Sequence, residues 1–199
     1  MPGSEGKIKH IGLCGVSSST LRRAVKIAPV SCIQAEYSPF VRDIESAAGT
    51  DLLRTCRELG VAIVASSPLS RGLLTSRIST TADLDSDRDI RGKQMPRFYT
   101  DNIGANAKVV AEFEKLAMKK GCSSAQLSLA WILKQGEDIF AIPGTTKIKY
   151  MEENLSAMQV QLSDEEEKEI RDFVEAAALQ GASETLAGKM FAFVDTAEA

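Results

Sequence analysis

Gly144-Thr145-Thr146-Lys147 places a glycine, two hydroxyls and a cation directly after the apolar run Ile139 to Ile142 and directly before a helical pattern that starts at Ile148. Backbone N–H groups at a helix start lack intrahelical partners, so with the hydroxyls and the lysine they form an anion site whose natural guest is phosphate. Gly-Thr-Thr before a helix is equally good capping and turn chemistry, and spacing alone leaves both roles open. Three more segments share this character: Ile11-Gly12-Leu13-Cys14-Gly15, Ile33-Gln34-Ala35-Glu36-Tyr37 and Val64-Ala65-Ser66-Ser67-Pro68-Leu69. Each follows an apolar, β-branched run and precedes a helical pattern. Ligands of parallel α/β folds bind at the carboxyl ends of strands, so four such segments delivered to one rim point to a ligand site.

Other chemistries are poorly supplied. A zinc site needs about four ligands in short paired spacings, and the only histidine, His10, starts the first expected strand at the opposite rim. Neither a metal centre nor a Ser-His-Asp triad is expected. Cys14, Cys32, Cys56 and Cys122 have no close pairing and read as reduced thiols; Cys14 and Cys32, in expected strands, read as small buried hydrophobes. Over 199 residues, 44% hydrophobic and 26% charged content with a net charge of -3 describe an ordinary globular domain and give no basis for a nucleic-acid partner. No run reaches the roughly 20 apolar residues of a membrane helix, and Met1 to Gly6 lacks the apolar stretch of a signal peptide, so a cytoplasmic location is expected.

The elements that position these segments alternate. Lys7 to Leu13 reads as a strand, Ser18 to Ala28 as a helix capped by Ser17 or Ser18, and Cys32 to Tyr37 as a second strand. Leu52, Leu53, Cys56 and Leu59 stripe a helix that stops at Gly60, and Val61 to Ala65 is the third strand. Residues 67–105 carry Arg71-Gly72, the acidic and basic run Asp83 to Arg91, and Met95-Pro96-Arg97; a structureless stretch of this length reads as a lid or binding loop. Arg71 could clamp a pyrophosphate or pair on the surface with Asp83 to Asp89. Val109 to Ala117 marks a helix ending near Gly121, and Ser123-Ser124-Ala125-Gln126 opens the next, whose Leu127, Leu129, Trp131 and Leu133 read as core. After the fourth strand come a helix from Ile148 to Ala157 and a capping box at Ser163 to Glu166, which starts a charged helix with Glu165 to Glu169 on its solvated face. The tail beyond Gly181 is weakly patterned and could pack back through Met190, Phe191, Phe193 and Val194.

In order and spacing, Gly6-Lys7-Ile8 leading into Ile11-Gly12-Leu13-Cys14, then Ile33-Gln34-Ala35-Glu36-Tyr37-Ser38, Ser67-Pro68-Leu69-Ser70-Arg71-Gly72-Leu73-Leu74-Thr75, Ile142-Pro143-Gly144-Thr145-Thr146 and Met151-Glu152-Glu153-Asn154-Leu155 resemble the aldo-keto reductases. The resemblance spans nearly the whole chain and points to the branch with pyridoxal-reductase-like and potassium-channel β-subunit-like members. It implies an α/β fold of the β/α (TIM) barrel family that binds NADP(H) extended across the carboxyl rim. By position, Cys14 and Gly15 replace the pair beside the nicotinamide carboxamide, Gln34 keeps the family's glutamine there, and Ser66 replaces the stacking aromatic. Ser67, Pro68, Leu69, Arg71 and Gly72 match the pyrophosphate loop, with Ser70 in place of a usual glycine. Gly144, Thr145, Thr146 and Lys147 match the 2′-phosphate site, and Glu153 and Asn154 the adenine contacts. The adenosine half is thus the better kept.

The family's catalytic Asp, Tyr, Lys and His belong to its first four βα units, whereas this sequence starts at what resembles the fifth strand. No catalytic residue is therefore assigned; Tyr37, Tyr99 and Tyr150 are not at the matching place. The expectation is a single domain over residues 1–199, an incomplete barrel of about four βα units plus C-terminal helices that lacks its N-terminal half. Its two unpaired sheet edges invite self-association or a covering tail, and an open parallel sheet under helices is the simplest monomeric form. Completed by an N-terminal half, it would reduce aldehydes or ketones with NADPH; alone it would be inactive, or a noncatalytic NADP(H)-binding or protein-interaction module.

Overall fold

The structure is a computed structural model that describes residues 6–84, 89–185, 188, 190 and 192–197. Strands β1 (Gly12–Cys14), β2 (Cys32–Glu36), β3 (Ala62–Ser66) and β4 (Ile139–Ala141) form one parallel sheet in the order β1-β2-β3-β4. The register sets Cys14 beside Gln34, Glu36 beside Ser66, and Ala65 beside Ala141. Because all four strands run the same way, the four segments singled out by sequence leave the sheet at the same end. Side chains follow the two-residue period of a pleated strand. Ile33, Ala35, Ile63, Ala65 and Ile139 are buried on one face, whereas Cys14, Gln34 and Phe140 on the other are exposed, Phe140 at 57%. One face meets helices and the other is open.

Local signals account for the helices. In α1 (Ser18–Ile27), Ser17 caps by accepting from the Thr20 N–H, and α2 (Leu52–Leu59) buries Leu52, Leu53 and Cys56 before ending at Gly60 with φ 65°. A short turn, α3 (Arg91–Gln94), precedes α4 (Thr100–Lys120), which ends at Gly121 with φ 76°. Both capping boxes form, Ser123 with Gln126 at the start of α5 (Ser124–Lys134) and Ser163 with Glu166 at the start of α7 (Asp164–Ala176); α6 (Ile148–Ser156) lies between them. The acidic first turn of α7, Asp164 to Glu167, complements the helix dipole. Trp131 of α5 is fully buried, its ring 5.6 Å from that of Tyr37, while Arg171 lies 5.2 Å over the indole and pairs with Glu45 at 2.7 Å. Burial, and then the neighbouring Glu45 that accepts its hydroxyl proton, holds the Tyr37 phenol well above its ordinary range.

Several expectations are corrected. Residues 67–105 are not structureless: 3-10 turns at Ser70–Thr75, Thr81–Asp83 and Pro96–Phe98 accompany α3, and α4 already begins at Thr100. Leu73, Leu74, Met95 and Phe98 anchor this segment in the core, and it looked structureless because they follow no helical or strand period among the turn residues. Residues 85–88 of the charged run lie outside the described residues. The first strand is shorter than Lys7 to Leu13, since Lys7 to His10 are exposed and only Gly12–Cys14 reaches β2. Cys14 is exposed and Cys32 half-buried because both flank the open face; Cys56 is buried, its thiol pushed up to about 12 by desolvation, and all four thiols are free. Leu133 is 38% exposed because it borders a surface cleft.

The tail returns to β1. Phe193 donates its N–H to the Gly15 carbonyl at 2.8 Å and packs on the core, Val194 bridges Val16 in parallel, and the Thr196 N–H donates to Thr20 Oγ1 at 3.0 Å. Val194 and Met190 are nonetheless exposed, which corrects their expected packing role, and Phe191 lies outside the described residues. Among the described residues, no helix is long and apolar enough to cross a membrane, and no cluster of three or more His, Cys, Asp or Glu could hold a metal.

Ile63, fully buried in β3, reports on the packed face. Ile63→Ala is expected to lower the unfolding free energy by about 2–5 kcal/mol and Ile63→Val by about 0.5–1.5 kcal/mol, read as a fall in denaturant midpoint at constant slope. Asp83 tests the turn before residue 84: N–H bonds from Ser79 and Thr80 hold its carboxyl at about 2, below the ordinary 3.8. A depressed folded value means that its contribution is present above the unfolded pKa and is lost as pH falls through about 2. An NMR titration of Asp83 should therefore show a midpoint near 2, and an ordinary carboxylate midpoint would show that the turn does not form.

Candidate functional site at the strand carboxyl ends

At the ends of β1 and β2, the register brings Cys14 and Gln34 together, with Cys14 Sγ 3.7 Å from Gln34 Oε1. Gly15 follows at φ 62°, a left-handed conformation that favours glycine, and donates its N–H to the Gln34 carbonyl at 2.9 Å. A Cβ at Gly15 would meet nothing within 4 Å, so backbone conformation and not crowding calls for glycine. The Gln34 amide is exposed and offers both a donor and an acceptor, which suits a carboxamide; the Cys14 thiol is a weak hydrogen-bonding partner. Ser66, at the end of β3 beside Glu36, supplies a half-buried hydroxyl and no ring.

The chain leaves β3 in an unusual turn. Ser67, Ser70 and Arg71 have φ of 48°, 47° and 56°, and Gly72 has 94°, so three residues with side chains sit in a region that costs of order 1–3 kcal/mol each. Long-range bonds hold the turn in place. Ser70 Oγ lies 2.8 Å from Ser38 Oγ, and Ser128 Oγ donates to the Pro68 carbonyl at 2.8 Å. Arg71 finds partners that its spacing did not suggest: its Nη2 donates to Glu36 Oε2 at 3.1 Å and its Nε to the Ser183 carbonyl at 3.1 Å.

Beyond β4, Gly144 to Lys147 are exposed, and Thr145 Oγ1 accepts the Lys147 N–H at 3.1 Å. The Lys147 side chain does not cap α6; the Tyr150 and Met151 N–H groups donate to the Lys147 carbonyl at 3.0 and 3.2 Å, which leaves those of Ile148 and Lys149 for an anion. Thr145 and Asn154 line one cleft of about 260 Å³ with Pro143, walled by Leu129, Leu133, Met151 and Leu155. Glu153 faces the other way and pairs with Arg77 at 3.0 Å. The Arg77 guanidinium stacks 3.6 Å from the Tyr150 ring centroid, with Lys147 Nζ 5.5 Å from the same ring. Sequence reasoning missed Arg77 and Tyr150. No local spacing marks Arg77, because its partner Glu153 lies 76 residues away.

The segment Ser67 to Arg77 thus spans from the end of β3 to α6. Two cations, two hydroxyls and unsatisfied helix N–H groups can hold a phosphate, while an apolar cleft edged by an amide can take a heterocycle. At the opposite end, Gln34 can hold a carboxamide. This donor set fits an extended, phosphorylated nicotinamide dinucleotide, with fewer contacts at its nicotinamide end.

Known proteins resemble this chain in sequence and fold. Residues 3–175 match the sequence pattern of the aldo/keto reductase family. The chain is 44% identical over 186 residues to aldo-keto reductase str7 of Strobilurus tenacellus, covering 94% of this chain and 54% of that protein. It is 42% identical over 191 residues to aldo-keto reductase yakc [NADP(+)] of Schizosaccharomyces pombe, covering 96% and 55%. The chain therefore spans about half the length of the curated relatives it matches. Among solved structures, the glycerol dehydrogenase AKR11B4 from Gluconobacter oxydans superposes with a TM-score of 0.71 at 27% identity, over 89% of this chain and 52% of that one. An aldo-keto reductase from Klebsiella pneumoniae in complex with NADPH shares the fold at a TM-score of 0.61 and 22% identity, over 87% and 50%. The four-stranded parallel sheet with its helices is a partial β/α barrel, and the chain belongs to the aldo/keto reductase family.

Proposed function

We propose that this chain carries the NADP(H)-binding half of a carbonyl reductase. Gly144, Thr145, Thr146, Lys147 and Arg77 take the 2′-phosphate; Asn154 faces adenine, and Glu153 acts at the adenosine end by holding Arg77. The Ser67 to Gly72 turn lies along the pyrophosphate, and Cys14 and Gln34 meet the carboxamide. The observation that carries this reading is the convergence of Arg77, Lys147, Tyr150 and Glu153 beside the cleft shared by Thr145 and Asn154. The fission-yeast relative named for NADP(+) and the Klebsiella enzyme bound to NADPH support the choice of cofactor. When bound, NADPH supplies the hydride that turns an aldehyde or ketone into an alcohol.

Carbonyl reduction also needs a proton donor at the reacting oxygen. Tyr37 is buried and bonded to Glu45, Tyr99 begins α4, and Tyr150 lies on α6 beneath Arg77. These placements favour a chain that binds cofactor without turnover by itself, either completed by further βα units or serving as a noncatalytic binding module. The four free thiols fit a reducing, cytoplasmic setting.

The two outer strands suggest how completion could occur. Among the described residues of the sheet β1 pairs only with β2 and β4 only with β3, the tail meeting the chain just beyond β1 at Gly15 and Val16, and Phe140 and Ile142 are 57% and 46% exposed. In a second copy related by a two-fold axis, β1 can pair with β4, giving eight parallel strands and removing both edges.

Fluorescence titration with NADPH should show saturable binding. Arg77→Ala and Lys147→Ala should each weaken it about 10-fold, the expected effect of losing one charge-assisted contact, with NADH affected less. Equal losses for NADPH and NADH would remove these cations from the 2′-phosphate site. NADPH oxidation by the purified chain with a generic aldehyde should match the buffer rate, and measurable turnover would overturn the inactive reading. Analytical ultracentrifugation should show a dimer that Phe140→Asp dissociates; a monomer insensitive to that change would exclude closure by a second copy.

A further inference from the structure

Glu36 is the last residue of β2, and its side chain is only 6% exposed. Its Oε2 accepts from Arg71, whereas its buried Oε1 has no hydrogen-bond partner among the described residues. Burial raises its pKa and Arg71 opposes the rise. A half-paired carboxylate in this position is a poor stabiliser, since an apolar side chain of similar volume avoids the desolvation cost. What the carboxylate contributes is direction, because it fixes where the Arg71 guanidinium lies.

Arg71 in turn joins three segments. It reaches β2 through Glu36 and the C-terminal segment through the Ser183 carbonyl, and its own carbonyl accepts from Arg91 Nη1 at 2.6 Å. The following Gly72 is confined by the same contact, since a Cβ there would lie 2.9 Å from Arg91 Nη1. Residues 180–183 are held by four consecutive carbonyls. Gln180 O accepts from Asn106 Nδ2 at 2.9 Å, Gly181 O from Arg97 Nε at 3.3 Å, Ala182 O from the Arg97 N–H at 3.0 Å, and Ser183 O from Arg71 Nε at 3.1 Å. Of these donors, only Arg71 also belongs to the turn that leaves β3. Arg97 is 8% exposed and uses carbonyl acceptors, so the strap is tied by backbone geometry more than by charge pairing.

We propose that Glu36 is a positioning residue that acts through Arg71: the pair fixes the left-handed turn Ser67 to Gly72 and fastens the 180–183 strap to it, so that loop order and cofactor affinity change together. This inference rests on the NADP(H) reading for its effect on affinity, but not for its effect on order. Glu36 touches no cofactor; it sets the place of the guanidinium and of the turn carbonyls and N–H groups around it.

Two measurements on the full 199-residue chain test the proposal: hydrogen–deuterium exchange over residues 67–77 and 179–184, and NADPH titration. Glu36→Gln and Arg71→Ala should each speed exchange in both segments about 10-fold while leaving α5 and β3 protected, and each should weaken NADPH about 10-fold. The double variant should behave no worse than Arg71→Ala, the signature of two residues acting as one unit. Arg71→Lys should restore part of the protection, because a lysine can meet Glu36 but cannot fork to Ser183 as well. Unchanged exchange at 179–184 in Arg71→Ala would overturn the clasp. So would a Glu36→Gln chain that binds NADPH normally while Arg71→Ala does not, since Arg71 would then act on the pyrophosphate directly. A wild-type chain that binds no NADPH would overturn the proposed function, and the exchange measurement would still decide the clasp.

Discussion

A parallel sheet packed on one face and open on the other is the constraint from which the rest of this molecule follows. The strands lie in sequence order, and right-handed crossovers between sequential neighbours place every connecting helix on the same side. Ile33, Ile63 and Ile139 are buried under those helices, while Gln34 and Phe140 on the reverse face have no covering layer among the described residues. A doubly wound sheet avoids this by reversing its strand order; a barrel avoids it by closing. The sequence order here belongs to the second solution, and the connections after each strand are collected at one rim whether or not the sheet closes.

Charge is used differently at the surface and at the rim. Lys119–Glu169, Lys120–Glu166 and Lys134–Asp164 join α7 to its neighbours, yet such solvated pairs typically contribute under about 1 kcal/mol. Arg57 is better engaged, gripping Asp138 at 2.9 Å and the Gln135 carbonyl at 2.6 Å, so it ties α2 to the turn before β4. The turn needs Gly136 for this, since a Cβ there would lie 2.3 Å from Asp138 Oδ1 and 2.7 Å from Arg57 Nη2. Glu36 is withdrawn from water and Glu45 partly so, and each is met by an arginine that also holds another segment, Ser183 for Arg71 and Gln135 for Arg171. These two positions govern geometry where the surface pairs mainly add solubility.

What could be read in the sequence was what is encoded locally. The capping boxes at Ser123 and Ser163 and the helix-ending Gly60 and Gly121 involve residues within one turn of each other, and all four form as expected. The four strands were legible from their β-branched runs, although β1 is shorter than its apolar run. Residues 67–105 were not legible, because their order comes from bonds such as Arg71 to Glu36 and Arg97 to Ala182, whose partners lie 35 and 85 positions away. The same distance hid Arg77 from its partner Glu153. Exposure of Cys14 and Leu133 was misjudged for a related reason: burial depends on what covers a face, and a strand or helix pattern says only that a face exists.

The uneven quality of the two ends of the candidate site has a physical logic. Under the proposed NADP(H) reading, the phosphate and adenine contacts between Gly144 and Asn154 would come from one strand end and one helix, with Arg77 brought in by a single ion pair, so that end is a nearly local motif. On the same reading the nicotinamide end would need groups from several strands held to within a fraction of an ångström, and the chain offers there the Cys14 thiol, the Gln34 amide and a serine at position 66. Affinity for a dinucleotide accumulates over all of its contacts and can rest on the end remote from the chemistry, whereas rate depends on stabilisation present only at the reacting atoms. On the proposed reading, a chain with a fuller adenosine end and a sparse nicotinamide end would hold the cofactor first, and carbonyl reduction would wait on other groups that complete the rim.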